Sequence, residues 1–438
     1  MTQDKIEMAF NQLTKLLKIE ENVIQDLAEK HCIIEERQRK IFCFPFLFVC
    51  FTLIMQGFFK HNDKKHLYKK LFGIDASTNA FSDRLSQIPP AFFRDLLKVV
   101  SPQLKMIGSL SKRKKLEGYL RQILIEDGST FSLNKKLRSV FGKGAGRGEN
   151  SSLKLYMSYN VVGDGRLKAI IRKGNHSDGS RATQPKKESL ELRDRAWFSM
   201  PLFLKWREQK RHFISRIKDN FDPKIMKVDI GLPEWEGKQL KQIMWEDYHG
   251  EVSLIIKPNP VKGKVLEENG KPFTLNLRGK DVHGKWFWYI VDIPDSDKLT
   301  FHDIHQFYRF RWNIEESFKE IKSSLGSNDL NGLSHENCVL NQLYMALIAW
   351  LVVKGFVSLI AISNRKSIDG FRLDFILKSS AKEEFFQLLF DYITGIIDSI
   401  ADLKRKSTDL VKIWYSQARA NSQKKRMAGR ALARLTSA

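Results

Sequence analysis

His305 to Gly326 reads HQFYRFRWNIEESFKEIKSSLG. Placed on a helix at about 100° per residue with Tyr308 at the origin, Arg311, Glu315 and Lys322 fall within about 60° of it on one narrow face. Phe307, Ile314, Phe318, Ile321 and Leu325 gather to one side and supply an apolar stripe for a core. Glu316 and Glu320 fall about 80° and 120° to the other side, toward solvent. Tyr308 and Lys322 stand roughly 21 Å apart along the axis. An amphipathic surface helix with i,i+4 ion pairs has the same pattern, so the stretch is weighed with the rest of the chain.

Upstream, residues 121–127 (RQILIED) read as a buried strand ending in an acid. Residues 151–162 (SSLKLYMSYNVV) alternate like a strand, Gly163-Asp164-Gly165 is a hairpin turn signal, and residues 166–173 (RLKAIIRK) return. Ser189 to Asp194 (SLELRD) is a shorter strand, again ending in Asp. The pattern suggests an α/β sheet with acids at strand ends. Asp127, Asp194 and Glu315 each sit where a strand ends or a polar stripe meets a core. Three carboxylates can hold two magnesium ions for phosphoryl transfer. The glycine-rich stretch 141–148 (FGKGAGRG) lacks the G-K-[ST] ending of a phosphate loop and reads as a basic loop that lies on a phosphate backbone. Asp164 belongs to the turn. Residues 205–300 carry further β signals punctuated by Pro, Gly and Asn; Trp286 and Trp288 share one strand face there and read as core, with stacking on a flipped base as the alternative. The flanking regions read as helical.

The chain has 438 residues and a formal net charge of +24. With 42% hydrophobic and 11% aromatic residues it is neither disordered nor collagen-like. The charge calls for a polyanion, nucleic acid before an anionic membrane. Basic clusters at Ser111–Lys115 and in the tail from Lys404 could lie on phosphates or simply be solvated. Cys32, Cys43, Cys50 and Cys338 make neither a disulfide scaffold nor a zinc pattern. The N-terminus has no apolar signal-peptide core. Ile41–Phe59 is apolar enough for a membrane span, but Pro45 and Gln56-Gly57 interrupt it, which favours a buried helix. Val339–Ile362 contains Asn341, Gln342 and Lys354 and reads as a buried helix too.

The spacing Tyr308-x2-Arg311-x3-Glu315-x6-Lys322 resembles the Y-R-E-K signature of the insertion-sequence-4 family of bacterial DDE transposases. FYRFRWNIEESFKEIK is similar to that family's Y-x-x-R-W-x-I-E-x-x-F-K consensus. Asp127-Gly-Ser-Thr130 resembles its first-acid motif. Arg193-Asp194-Arg195-Ala-Trp-Phe198 resembles its second, usually Asp-Arg-Gly-Tyr, with Ala196 in place of Gly. The likeness runs from about residue 119 to 330.

The resemblance implies an α/β fold: a ribonuclease-H-like catalytic core interrupted by an antiparallel β insertion, with helical N- and C-terminal regions. The divisions it suggests are a helical DNA-binding region at 1–115, core at 116–204, β insertion at 205–300, core with the Glu helix at 301–365, and a basic helical region at 366–438. It implies that Asp127, Asp194 and Glu315 are catalytic and bind two divalent metal ions, magnesium with manganese as a substitute. Tyr308, Arg311, Lys322 and, more weakly, Arg216 would contact DNA, and Asp178 would cap or position. The implied activity is cut-and-paste transposition: hydrolysis at transposon ends, a hairpin intermediate, and 3′-hydroxyl strand transfer. The partners are double-stranded DNA, as terminal inverted repeats and target, and a second copy in a homodimeric synaptic complex, in the bacterial cytoplasm at the nucleoid. The alternatives are a related nuclease without strand transfer and a domesticated, non-catalytic DNA-binding protein.

Overall fold

The computed structural model of the chain describes residues 2–33, 41–58, 60–103, 122–143, 150–160, 167–174, 189–282, 284–293, 299–309, 311–325, 330–366, 376 and 381–416. The basic cluster at Ser111–Lys115, most of the glycine-rich stretch, the Gly163–Gly165 turn, Asp164, Asp178 and the last 22 residues lie outside the described residues.

At the centre is a nine-stranded sheet in the order β3-β2-β1-β4-β5-β11-β10-β7-β6. Its first half is β1 (Gln122–Leu133), β2 (Ser151–Asn160), β3 (Leu167–Lys173), β4 (Ser189–Arg193) and β5 (His212–Arg216). β2 runs antiparallel to β1 and β3, whereas β1, β4 and β5 are mutually parallel. The second half is antiparallel: β6 (Lys224–Ile230), β7 (Glu251–Lys257), β10 (Leu275–Asp281) and β11 (Trp286–Asp292), with β8 (Glu267–Glu268) and β9 (Lys271–Pro272) as a separate small hairpin. β11 returns beside β5.

Two expectations change here. β1 does not end at Asp127: Gly128 to Leu133 stay paired with β2, so the acid lies mid-strand. The segment 205–300 continues the same sheet, and β5 within it belongs to the parallel part, paired with β4.

Among the described residues six helices precede the sheet: α1 (Gln3–Leu17), α2 (Glu21–Lys30), α3 (Cys43–Met55), α4 (His61–Phe72), α5 (Thr78–Gln87) and α6 (Pro90–Gln103). Ser77 caps α5 by accepting from Ala80 N at 3.2 Å, and Pro90 opens α6, where a missing N–H costs nothing. After α7 (Arg138–Phe141) and α8 (Met200–Glu208) come α9 (Phe301–Arg309), α10 (Trp312–Leu325), α11 (Glu336–Ser363), α12 (Lys382–Thr394) and a helix over 400–416.

The strand periodicity of two divides the packing into two cores. Ile123, Ile125, Leu190, Leu192, Ile214, Tyr289 and Val291 face a core shared with the N-terminal helices and α9 to α12. Phe213, Leu254, Leu277, Trp288 and Ile290 face a second core with Phe203 and Trp206 of α8. Trp286 and Trp288 do lie on one strand face, stacked 5.0 Å apart within an aromatic cluster with Trp245. Gly279, opposite Trp288, gives that ring room, since a Cβ there would meet it at 2.3 Å.

α3 has 13 helical residues, about 20 Å of helix, short of the roughly 30 Å hydrocarbon core of a bilayer. It packs against α1, α4 and α11. Among the described helices only α11 is long and apolar enough to cross a membrane, and 83% of its apolar window is buried. Its polar side chains are used inside the protein. Asn341 donates to the carbonyls of Leu85 and Ile88, both at 2.7 Å, and Asn337 to that of Ser86, which fastens α5 to α11.

Candidate active site

The parallel strands set the site. β1 and β4 are paired from Gln122↔Ser189 to Ile125↔Leu192, and β4 and β5 from Leu190↔His212 to Arg193↔Ser215. Continuing both registers places Asp127, Asp194 and Arg216 side by side on three neighbouring strands. Alternation puts them on the face of Ile125, Leu192 and Ile214, which packs against α9 and α10. Arg216 is paired in turn with Tyr289 of β11.

Each Asp is oriented by the amide that follows it. Asp127 Oδ1 accepts from Gly128 N at 2.7 Å, and Asp194 Oδ1 accepts from Arg195 N at 2.6 Å while capping a 3₁₀ turn over Arg195–Trp197. In each case the second carboxylate oxygen is not engaged by that bond.

The expected single helix over 305–326 is two helices. α9 stops at Arg309, α10 starts at Trp312, and Arg311 sits in the turn between, its N–H donating to the Tyr308 carbonyl at 3.0 Å. The break brings a buried guanidinium to the carboxylates. Arg311 Nη1 lies 2.5 Å from Glu315 Oε1 and 4.0 Å from Asp194 Oδ1. The guanidinium lies 5.5 Å from the Tyr308 ring and 5.3 Å from the Trp312 ring. Tyr308 is buried, and its hydroxyl donates to the Arg193 carbonyl at 3.3 Å.

Electrostatics tie the acids together. Burial pushes the Asp127 carboxyl up to about 6; the Gly128 N–H opposes this, the negative charges of Asp194 and Glu315 add to it, and Arg311 opposes it. A carboxyl held in that state calls for a cation. Lys322 is held apart: its ammonium lies 5.2 Å from the Phe131 ring, four residues further along β1 from Asp127, or roughly 13 Å at 3.3 Å per residue. Burial lowers its pKa. Arg216 lies over the Phe287 ring at 5.0 Å.

The donor set suits a hard divalent cation, since all three groups are carboxylates. Among the described residues no three Asp, Glu, His or Cys side chains are grouped closely enough to ligate an ion as they stand. Arg311 reaches both Glu315 and Asp194 and supplies positive charge there instead. The donor chemistry fits a divalent cation, while the present arrangement places Arg311 between Glu315 and Asp194 rather than grouping the three acids as ligands.

One further expectation is corrected. Glu316 is exposed as its helical position requires, but Glu320 is buried, accepting from Trp350 Nε1 at 2.9 Å and Lys354 Nζ at 2.8 Å on α11. Sequence reasoning also passed over Tyr289, 5.1 Å from Tyr308 ring to ring, and His305, whose Nδ1 is 2.9 Å from the Tyr289 hydroxyl. It passed over Glu126, Glu191, Arg193 and Arg211, which are buried together. The available signal was charge at inward positions of apolar strands.

Residues 119–352 match the family described as Transposase DDE domain. The chain is similar to a transposase for insertion sequence element IS1151 of Clostridium perfringens, 23% identical over 66% of this chain and 68% of that protein. It is also similar to a transposase for insertion sequence element IS231E of Bacillus thuringiensis subsp. finitimus, 22% identical over 53% of this chain and 55% of that protein. A probable transposase for insertion sequence element IS5377 of Geobacillus stearothermophilus is 21% identical over 47% and 50%. The matches span about half to two thirds of those relatives' length.

Proposed function

This chain belongs to the DDE transposase family of insertion sequences, and on that premise we propose that it performs cut-and-paste transposition with Asp127, Asp194 and Glu315 as its metal-binding catalytic residues. One observation carries the reading. Asp194 at the end of β4 and Glu315 on α10 both face the buried Arg311 guanidinium, at 4.0 and 2.5 Å, and their charges raise the pKa of Asp127 on the neighbouring β1. The order β3-β2-β1-β4-β5, with β2 antiparallel to the other four strands, supports a ribonuclease-H-like core, and β6, β7, β10 and β11 are the β insertion extending it. The Tyr308, Arg311, Glu315 and Lys322 spacing supports placement in the insertion-sequence-4 group.

Bound divalent ions, two magnesium in this proposal, would activate the attacking oxygen and stabilise the leaving one. Asp127, Asp194 and Glu315 would hold them through carboxylate oxygens. Arg311, planar and permanently charged, turns from Glu315 toward the phosphate at the cleaved bond. Tyr308, expected from the sequence to touch DNA, is buried with its hydroxyl on the Arg193 carbonyl and instead keeps that guanidinium in place. Lys322 and Arg216 meet DNA phosphates on either side of the acids. The same site would hydrolyse at the inverted repeats, pass through a hairpin, and join the freed 3′-hydroxyl to target DNA. The +24 charge supports double-stranded DNA as the partner. A homodimeric complex in the bacterial cytoplasm completes the proposal.

The test is magnesium-dependent cleavage of a duplex carrying the element's terminal repeat. Asp127→Asn and Asp194→Asn each lose at least ~10²–10³ in rate, with DNA binding retained in a gel shift. Near-normal cleavage by either variant contradicts the assignment.

A further inference from the structure

Directly behind the candidate carboxylates, on the opposite face of the sheet, lies a buried ionic cluster. Glu126 and Glu191 are 2% and 1% exposed, Arg193 and Arg211 2% and 6%. Arg193 donates from Nε and Nη2 to Glu191 Oε2 at 3.1 and 3.0 Å, and its Nη2 is 3.4 Å from Glu126 Oε2. Arg211 donates to Glu191 Oε1 at 3.2 Å and to Gln209 Oε1 at 3.0 Å. Trp197 and Trp206 wall the Arg193 guanidinium at 4.5 and 5.1 Å from their ring centroids.

We propose that Arg193 is a positioning residue, clamped to Glu126 and Glu191, that holds β1 and β4 at the level where Asp127 and Asp194 stand side by side. The inference rests on the function proposed above and deepens it. Glu126 immediately precedes Asp127 and Arg193 immediately precedes Asp194. Successive strand side chains point to opposite faces, so an ion pair on one face fixes the pair of acids on the other. The paired register between β1 and β4 ends at Ile125↔Leu192, one step short of this pair, so the clamp extends the alignment to the acids themselves. The same residue holds a third piece of the site, because its backbone carbonyl accepts from Tyr308. A cluster of this kind is not required for stability as such, since buried ion pairs are commonly replaceable by apolar groups. Its place, one residue behind each acid, gives it a use.

Lysine at 193 keeps the charge but loses the planar fork that reaches two carboxylates at once. The test is manganese binding by the full-length protein without DNA, followed as loss of the free-ion electron paramagnetic resonance signal, beside the thermal midpoint. Asp127→Asn serves as the site control. Removing a group that orients a metal ligand typically weakens affinity by about 10–100-fold. We expect Arg193→Lys and Glu126→Gln to weaken the Asp127-dependent manganese binding at least about tenfold, measured well below each variant's thermal midpoint. If Arg193→Lys does not fold, Glu126→Gln decides. A lower midpoint with unchanged manganese affinity, or wild-type behaviour in both variants, overturns the clamp while the functional reading stands. Absence of Asp127-dependent manganese binding in the wild type overturns the functional reading, and the clamp with it.

Discussion

Asp127 is the residue at which the site's electrostatics are most exposed to measurement. Its folded pKa, about 6, lies above the 3.8 of a free aspartate. The raised value means that the folded protein holds this proton more tightly than the unfolded chain. The stability it contributes is present in full below about pH 3.8 and is lost as pH rises through about 6. Asparagine resembles the protonated form at every pH. Asp127→Asn is therefore expected to stabilise the metal-free protein at pH 8 by roughly 2–3 kcal/mol, and to match the wild type near pH 3.5. Denaturant midpoints at the two pH values check this; equal stability of variant and wild type at both would contradict the burial of this carboxyl beside Asp194 and Glu315. The acids were legible as residue types at the ends of apolar runs, Ile123 to Asp127 and Leu190 to Asp194. That Asp127 lies mid-strand was not, because the apolar run stops at Asp127 and the pairing with β2 that keeps Gly128 to Leu133 extended is not a local pattern.

At the scale of elements, the mounting of α10 matters as much as its face. The wheel sends Glu320 to solvent, but α11 occupies that side and presents Trp350 and Lys354 to it. No local pattern could show this, since the partners lie 30 and 34 residues on. Removing one member of a buried ion pair leaves the other charge uncompensated. Glu320→Ala is expected to lower stability by about 3 kcal/mol, read as a fall in denaturant midpoint, and to loosen the helix carrying Glu315. A midpoint equal to that of the exposed-site variant Glu316→Ala would contradict it. The break between α9 and α10 was likewise hidden, because the apolar periodicity runs straight through Arg311. The break leaves Arg311 and Glu315 one turn apart, so the i,i+4 pairing read from sequence is present.

At the scale of the whole molecule, α11 joins the parts. It packs against α3, α5 and α6 on one side and α10 on the other, and one core runs through all of them. The sequence shows helical termini and a sheet between, but not that the N-terminal helices are built onto a helix more than 200 residues later. A chain shortened to begin at residue 116 would expose the apolar flank of α11. It is expected to be insoluble or to melt without a cooperative transition, which circular dichroism and calorimetry would show. A cooperative unfolding transition in that fragment would mark residues 1–115 as separable. The most direct measurement of the central claim compares two adjacent carboxylates. Glu315 stands against Arg311 inside the site, and Glu316 is exposed about 100° around the helix. In magnesium-dependent cleavage of an end-containing duplex, Glu315→Gln should abolish nicking and leave DNA binding intact, and Glu316→Gln should cleave like the wild type. A Glu315→Gln protein as active as the wild type, or an inactive Glu316→Gln beside an active Glu315→Gln, would contradict the account.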